Sequence, residues 1–334
     1  MTLDDWSPLP ALAESAALAA PAPRACIAVS GADRASYLQG LLTNDIQALT
    51  PGTGCYALWL TPQGRMTTDM HVLESGDMIL LDLPAAVGDA VRRRLEQFVF
   101  TEDVQIGDLT PALSVVGVHG GRAAQVVEQV VDGMTDLASW AEYRNARSTF
   151  AGAPVVVARV DQLGVPGFHL YVSRDQEAAL RDALAAGGAL PMSADAMTAA
   201  RVEAGYPLFG IDMDEDVIPL EAGVEHRGIS FNKGCYVGQE VIIRVLHRGH
   251  GRVARKLVGL RFDGGVPAVK GARLHADGRE IGFVTSSATS PTLGAIALGY
   301  VHRDFIEPGS RVEAETNAGM QPATVSALPI RRAA

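Results

Sequence analysis

The sequence predicts an α+β protein of several domains that ends in a small all-β barrel. Two observations indicate the α+β part: strand-like runs are joined by hairpin turns, and helices with a 3.6-residue apolar period follow them. A third observation indicates the barrel, because after Arg252 the helical period disappears and short strands alternate with glycine turns. The chain of 334 residues is long enough for two or three domains.

Two successive α+β units fill the first part of the chain. Residues 11–23 are low in complexity and predict a short helix or a loose leader. The first unit has a meander of the strands CYALWL, MTTDMHVL and MILLDL, then a helix in PAAVGDAVRRRLEQFVF. The second has strand ALSVVGV, helix GRAAQVVEQV, strands VVVARV and FHLYVS, and helix RDQEAALRDALAA. We expect a leader at 1–23, the two units at 24–250 and the barrel at 251–334.

One more helix and the barrel strands complete the predicted elements. Ser193 has the residue type of a helix N-cap, and Gly205 that of a C-terminal stop. The barrel strands are expected in KLVGLRF, ARLHADGREIGFVTS, AIALGYVH and RVEAET, where ADGR is a strong hairpin signal.

Composition excludes several classes of partner. A formal net charge of −10 argues against nucleic acid or an anionic membrane as the partner of the whole surface. No apolar run approaches the twenty or so residues of a membrane span. The start, MTLDDWSPLP, is acidic where a secretory signal carries positive charge, so we expect a cytoplasmic protein.

Metal ligands are not expected from the sequence patterns. The cysteines Cys26, Cys55 and Cys235 form no C-x-x-C pair, which indicates a reducing compartment and no structural zinc site from this chain alone. The stretch DMDEDV mimics a calcium loop, but Val217 and Gly223 stand where an EF-hand needs glycine and glutamate. We therefore predict no stably bound metal.

The stretch KGCYVGQE is the first candidate site. Its Cys235 precedes a predicted helix start near Gly238 and lies beside Lys233 in sequence, two features that favour a thiolate. The alternative is a small buried filler. A nucleophilic cysteine needs a base, and His226, His247 and His250 are equal candidates.

The stretch ARVEAGYPLFGID is the second candidate. A carboxylate such as Glu203 can bind the amino-pyrimidine edge of a heterocycle while Tyr206 or Phe209 covers its face. The alternative is a surface salt bridge between Arg201 and a carboxylate beside a helix end.

A short basic stretch is the third candidate. Its members are Arg244, Arg248, Arg252, Arg255 and Lys256. The stretch could attract an anionic tail or a nucleic-acid backbone. The alternative is a solvated linker between domains. By itself Asp69, in the strand MTTDMHV, is typical of a solvent-facing residue.

Taken in order, five segments resemble the YgfZ family of folate-binding proteins, which are relatives of the glycine-cleavage T-protein. They are YLQGLLTNDI, YALWLTPQGRMTTDMHVL, ARVEAGYPLFGID, IPLEAG and FNKGCYVGQEVIIRVLHRG. The resemblance implies a T-protein-like ring of three domains, two α+β and one C-terminal β-barrel, around a channel that binds tetrahydrofolate. It also implies support of iron–sulfur cluster assembly or repair, including in enzymes that modify tRNA.

The resemblance also assigns residues. It implies that Glu203 contacts the pterin, with Arg201 and Tyr206 nearby. It makes Cys235 the functional thiol of a signature whose other members are Lys233, Gly234, Tyr236, Gly238, Gln239 and Glu240. T-protein has an acidic pair after its glycine turn, where this chain has Thr68 and Asp69.

Three functions follow. The leading one is a folate-binding accessory protein for iron–sulfur enzymes or their assembly machinery, acting through Cys235 and not as a classical enzyme. The alternative is a tetrahydrofolate-dependent aminomethyl or one-carbon transferase with Asp69 as general acid/base. Direct tRNA binding through the basic stretch is the weakest, because the protein is acidic.

Overall fold

The computed structural model describes residues 10–247, 251–317 and 319–331, with side chains from Leu12 onward. Two open sheets and one closed barrel contain the described strands. The segment expected as a short helix or loose leader begins with a four-residue helix, α1 (Pro10–Ala13). It continues as a strand, β1 (Ala16–Leu18), whose small buried side chains lie inside a sheet.

The first sheet contains the predicted meander. Its strands run in the order β3-β4-β5-β2-β6, and β3, β4 and β5 pair antiparallel as expected. Two helices pack with it. The bounds are β2 (Arg24–Ser30), α2 (Arg34–Leu41), β3 (Gly54–Leu60), β4 (Met66–Glu74), β5 (Met78–Pro84), α3 (Ala85–Gln97) and β6 (Gln105–Asp108).

The second sheet has six strands in the order β11-β1-β7-β10-β9-β8. Strand β1 pairs parallel with β11 and antiparallel with β7, so the N-terminal segment completes this sheet. The edge strand β8 was not predicted, because its sequence NARSTF is polar and has no strand-like run. The bounds are β7 (Leu113–His119), α4 (Ala123–Val130), β8 (Asn145–Phe150), β9 (Ala153–Arg159), β10 (Gly167–Ser173), α5 (Glu177–Ala186) and β11 (Ala189–Pro191).

Four helices connect the second sheet to the barrel. The first begins where the sequence predicts, with the Ser193 hydroxyl accepting a hydrogen bond from the Ala196 amide at 3.2 Å. It ends at Gly205, whose φ of 68° is in the left-handed region that glycine adopts readily. The bounds are α6 (Ala194–Ala204), α7 (Pro219–Ala222), α8 (Glu225–Gly228) and α9 (Gln239–His247).

The C-terminal barrel is closed by six strands in the order β12-β15-β14-β13-β16-β17. The α+β class with a C-terminal β-barrel is therefore confirmed. Strand β17 was not predicted, since GMQPATVS lacks a hydrophobic run. The bounds are β12 (Arg255–Phe262), β13 (Arg273–Ala276), β14 (Arg279–Ser290), β15 (Gly294–His302), β16 (Arg311–Thr316) and β17 (Gly319–Ser326).

One hydrophobic cluster joins all three parts. It contains Leu58 from the first sheet, Tyr171 from the second and Leu298 from the barrel, each at most 2% exposed. Such a shared core fixes the two sheets against each other and holds side chains at their junction in place. Across the described residues, no helix is long and apolar enough to span a membrane.

Candidate functional site

A cleft of about 370 Å³ opens at the junction of the two sheets. Strand β4 contributes Asp69 and His71, which are two residues apart and so share one face. Strand β10 contributes His169, and the segment after α6 contributes Tyr206 and Phe209. A concave, largely apolar space with a few polar groups is the usual form of a small-molecule site.

Asp69 is the acidic group of the cleft, although its sequence context indicated a solvent-facing residue. It is 7% exposed, and its Oδ2 accepts a hydrogen bond from the Tyr56 hydroxyl at 2.9 Å. Among the described residues no donor reaches Oδ1, which leaves that oxygen for a ligand. Thr68 is fully buried and does not line the cleft, so of the two positions only Asp69 faces it.

Arg227 lies beside this carboxylate and was missed by the sequence analysis. Its guanidinium is placed over the ring of Tyr206 at 3.8 Å and over the ring of Tyr56 at 4.5 Å. Its Nη2 is buried without a hydrogen-bond partner among the described residues. No local pattern in VEHRG indicates this role, because both rings come from distant segments.

The predicted folate-binding residues Arg201 and Glu203 point in different directions. They are two residues apart on α6, and 100° of rotation per residue places them on opposite sides of the helix. Arg201 lines the cleft, but its guanidinium donates to Asp212 Oδ2 at 2.7 Å and to Ser286 Oγ at 2.8 Å. It therefore ties α6 to the barrel.

Glu203 lies away from the cleft. It is 2% exposed, and its Oε1 has no hydrogen-bond partner among the described residues. Burial raises the pKa of the Glu203 carboxyl to about 7, against an opposing hydrogen bond from the Ser290 hydroxyl. Glu203 does not line the cleft, and the pterin contact that the resemblance implies for it stays a prediction.

The Cys235 side chain is exposed. The sequence predicts that Lys233 favours its thiolate, but the Lys233 ammonium forms its hydrogen bonds elsewhere. The Lys233 ammonium turns away and donates to the carbonyl oxygens of Gln39, Leu42 and Asn44 at 2.6, 2.7 and 2.9 Å. These carbonyls lie at the C-terminal end of α2, where a cation is favoured. Burial lowers the pKa of Lys233 to about 8, with opposing contributions from Asp45 and Cys55.

The other signature residues hold the segment against the first sheet. Gly238, with φ of 85°, approaches so closely that a Cβ there would lie 2.4 Å from the Thr61 carbonyl oxygen. Gln239 Oε1 accepts a hydrogen bond from the Tyr236 amide at 3.3 Å and begins α9 as predicted. Tyr236 is buried, whereas Gly234 and Glu240 are exposed.

No described histidine is positioned as a base for Cys235. Neither His226 nor His247 forms a hydrogen bond with its thiol in the described residues, and His250 lies outside them. In the basic stretch, Arg248 also lies outside the described residues, and Arg255 donates to the Asp216 carbonyl oxygen at 3.0 Å.

A buried polar cluster forms the inner wall of the cleft. His71 on β4 and Asp82 on β5 are direct cross-strand partners, with His71 Nδ1 3.1 Å from Asp82 Oδ2. The Tyr171 hydroxyl donates to the same oxygen at 2.8 Å, and Arg24 Nε donates to Asp82 Oδ1 at 2.6 Å. Burial disfavours the negative charge of the Asp82 carboxylate. Arg24 and the two histidines nevertheless hold the pKa of Asp82 well below its usual range.

Protein-family models match two parts of the chain. One described as the GCVT N-terminal domain matches residues 11–233, and one described as the glycine cleavage T-protein C-terminal barrel domain matches residues 255–330.

Among curated proteins, an aminomethyltransferase from Saccharopolyspora erythraea is 32% identical over 92% of this chain and 84% of its own length. An aminomethyltransferase from Moorella thermoacetica is also 32% identical, over 92% of this chain and 84% of its own length. The solved glycine cleavage system aminomethyltransferase T from Bartonella henselae superposes with a TM-score of 0.84 at 23% identity, covering 95% of this chain and 86% of that one. The likeness to this solved structure shows that the two chains share a fold.

Proposed function

Because this chain belongs to the glycine cleavage T-protein family, we propose that it is a tetrahydrofolate-dependent transferase of an aminomethyl or related one-carbon group. The observation that carries the proposal is Asp69, a shielded carboxylate with one oxygen open to the cleft. The full-length likeness to proteins named aminomethyltransferase supports the same reading.

The residues of the cleft fit a folate. Asp69 Oδ1 can accept hydrogen bonds from an N–H of a pterin, and Phe209 and Leu208 supply apolar surface for its ring. The Tyr206 ring has one face covered by Arg227, so Phe209 is the freer aromatic cover. The volume of about 370 Å³ is within the usual range of ligand sites. When bound, tetrahydrofolate supplies the nitrogen that receives the one-carbon group.

In this proposal Asp69 acts as the general acid/base beside that nitrogen. The Tyr56 hydroxyl fixes its orientation and keeps Oδ1 toward the cleft. Arg227 lies over the rings of Tyr56 and Tyr206 and packs against the tyrosine that holds Asp69.

The test is turnover of an aminomethyl donor in the presence of tetrahydrofolate. We expect Asp69→Asn to lower kcat by a factor of about 10² to 10⁴, the usual contribution of a positioned acid/base. Cys235→Ala, the matched control, keeps its activity because the thiol is exposed and away from the cleft. If the wild type binds tetrahydrofolate but turns over no aminomethyl or N-methyl donor, the transferase proposal is wrong and folate binding alone remains.

The iron–sulfur accessory function rests on the signature segment alone. Sequence similarity favours the transferase alternative instead, and the Lys233 ammonium is engaged with the end of α2. Iron–sulfur enzyme activity in a deletion strain complemented with Cys235→Ala tests it directly, since full rescue excludes a thiol role. Membership of the YgfZ group and a cytoplasmic location stay predictions.

A further inference from the structure

The buried cluster behind Asp69 contains a set of groups with no role in the proposed transfer. Its donors are His71 on β4, Asp82 on β5 and His169 on β10. We infer that these three side chains form a binding site for a divalent transition-metal ion of the Zn²⁺ kind. The inference stands apart from the proposed function, because none of the three was assigned to folate or to proton transfer.

The distances match those of ligands around one ion. Tetrahedral zinc with bonds of about 2.0–2.1 Å has its ligand atoms about 3.3 Å apart. Asp82 Oδ2 is 3.1 Å from His71 Nδ1 and 3.5 Å from His169 Nδ1. The three ligand atoms all lie within 4.8 Å of one another. Two imidazoles and one carboxylate are a common ligand set for catalytic zinc and non-haem iron.

His169 supplies an independent observation. Its side chain is 8% exposed, and its Nδ1 meets the geometry of a hydrogen bond with no described residue, although Asp82 Oδ2 lies 3.5 Å away. A buried nitrogen without a partner is unfavourable, and a metal ion at this point would satisfy it.

His71 also has the second contact expected of a ligand. Its Nε2 lies 3.4 Å from Gln162 Nε2, and with the Gln162 amide turned over, its oxygen accepts a hydrogen bond from the ring N–H. Metal-bound histidines usually donate their other N–H in this way.

The net charge of the site indicates which further ligand completes the coordination of the metal ion. Arg24 holds Asp82 Oδ1 and the Tyr171 hydroxyl donates to Oδ2, so the carboxylate can ligate only through a remaining lone pair of Oδ2. Arg24 also balances the carboxylate charge, and a dication would leave the buried site positive. His71 and His169 line the cleft, so the open position faces it. We therefore expect hydroxide or a small carboxylate as the remaining ligand.

The first test is metal titration of the full-length protein after chelator treatment. All proteins carry Cys235→Ser, so that the exposed thiol cannot bind the metal. We expect one equivalent of Co²⁺ to give a visible absorption band stronger than that of aqueous Co²⁺, and Zn²⁺ to displace it. His71→Gln and His169→Gln should weaken Zn²⁺ binding by more than about 100-fold, and Gln162→Leu by about 10-fold.

The matched control is His119→Gln. His119 lines the same cleft, with its ring centroid 6.0 Å from that of His169, but it is not one of the three ligands. Its Zn²⁺ affinity should equal that of the parent. If the loss in the ligand variants came from general damage to the cleft, this control would lose binding as well.

A second measurement needs no ligand substitution. Histidine ring ¹⁵N spectra of the Cys235→Ser protein, recorded with and without Zn²⁺, identify each nitrogen that binds the ion. We expect shifts at Nδ1 of His71 and His169 and none at exposed His226. Absence of stoichiometric binding, or shifts only at surface histidines, would overturn the inference.

Discussion

The sequence indicates the Lys233–Glu240 segment as the functional site, whereas the structure indicates the cleft. The segment carries the most recognisable motif of the chain, yet its polar groups are occupied by the protein itself: Lys233 by three carbonyl oxygens and Gln239 by an amide. The cleft carries no such motif, yet no donor among the described residues reaches Asp69 Oδ1, and Arg227 Nη2, behind the Tyr206 ring, has no hydrogen-bond partner among them.

That difference separates two kinds of constraint on a sequence. A motif whose Lys233 and Gln239 side chains bond within the protein stabilises an arrangement of segments, here the packing of the residues before α9 against the end of α2 and the turn after β3. Buried groups without partners are unfavourable unless a ligand satisfies them, so they indicate where chemistry takes place.

The largest effect that distinguishes the two regions is expected at Lys233. Lys233→Met removes a cation from three carbonyl oxygens at 2.6 to 2.9 Å and leaves those oxygens unsatisfied. We expect the free energy of unfolding to fall by about 2–3 kcal/mol, measured by urea denaturation. Activity per folded molecule should be retained, because Lys233 does not line the cleft.

Lys256→Met is the control, since Lys256 is exposed and should change stability by less than about 0.5 kcal/mol. Equal stability of the two variants would mean that the Lys233 contacts contribute nothing, and the segment would need another explanation.

A smaller effect is expected at Glu203, which is buried outside the cleft and whose Oε1 has no hydrogen-bond partner among the described residues. Its pKa of about 7 exceeds the ordinary 4.5, so the folded state keeps a proton that the unfolded chain releases. Stability contributed by this group is therefore lost as pH rises from about 4.5 to about 7. Glu203→Gln should raise the unfolding free energy by about 1–2 kcal/mol at pH 8 and leave it unchanged near pH 4.5.

Exposed Glu240 offers the comparison variant, and Glu240→Gln should change the unfolding free energy by less than about 0.5 kcal/mol. A Glu203→Gln protein that is less stable at pH 8 would show that the carboxylate has a partner there. A loss of folate binding in the Glu203→Gln protein would show that Glu203 contacts the folate.

The sequence predicted those parts of the fold whose signals are local. The meander β3 to β5 follows from hairpin turns, and α6 follows from the cap types of Ser193 and Gly205. Strands β1, β8 and β17 were missed because they are short or polar and are defined by the strands they pair with. Their pairing is a tertiary effect that overrides local preference.

The site was less predictable for the same reason. Asp69 was named only through resemblance, and the cleft-facing direction of its side chain depends on how the two sheets pack. His71, Asp82 and His169 come from three strands in two sheets, and no spacing rule joins them. The motif segment had the converse problem: its residues were found, but proximity of Lys233 to Cys235 in sequence did not mean contact.

The smallest effect is expected at Cys235, and it tests the distinction between motif and site most directly. The thiol is exposed and forms no hydrogen bond among the described residues, so Cys235→Ser should change the unfolding free energy by less than about 0.5 kcal/mol. Transferase turnover should be unchanged, and a thiol reagent should label native protein quickly at this position while buried Cys26 reacts only on unfolding. A stable Cys235→Ser protein that has lost turnover would instead place the thiol in the reaction and reverse the assignment of the two regions.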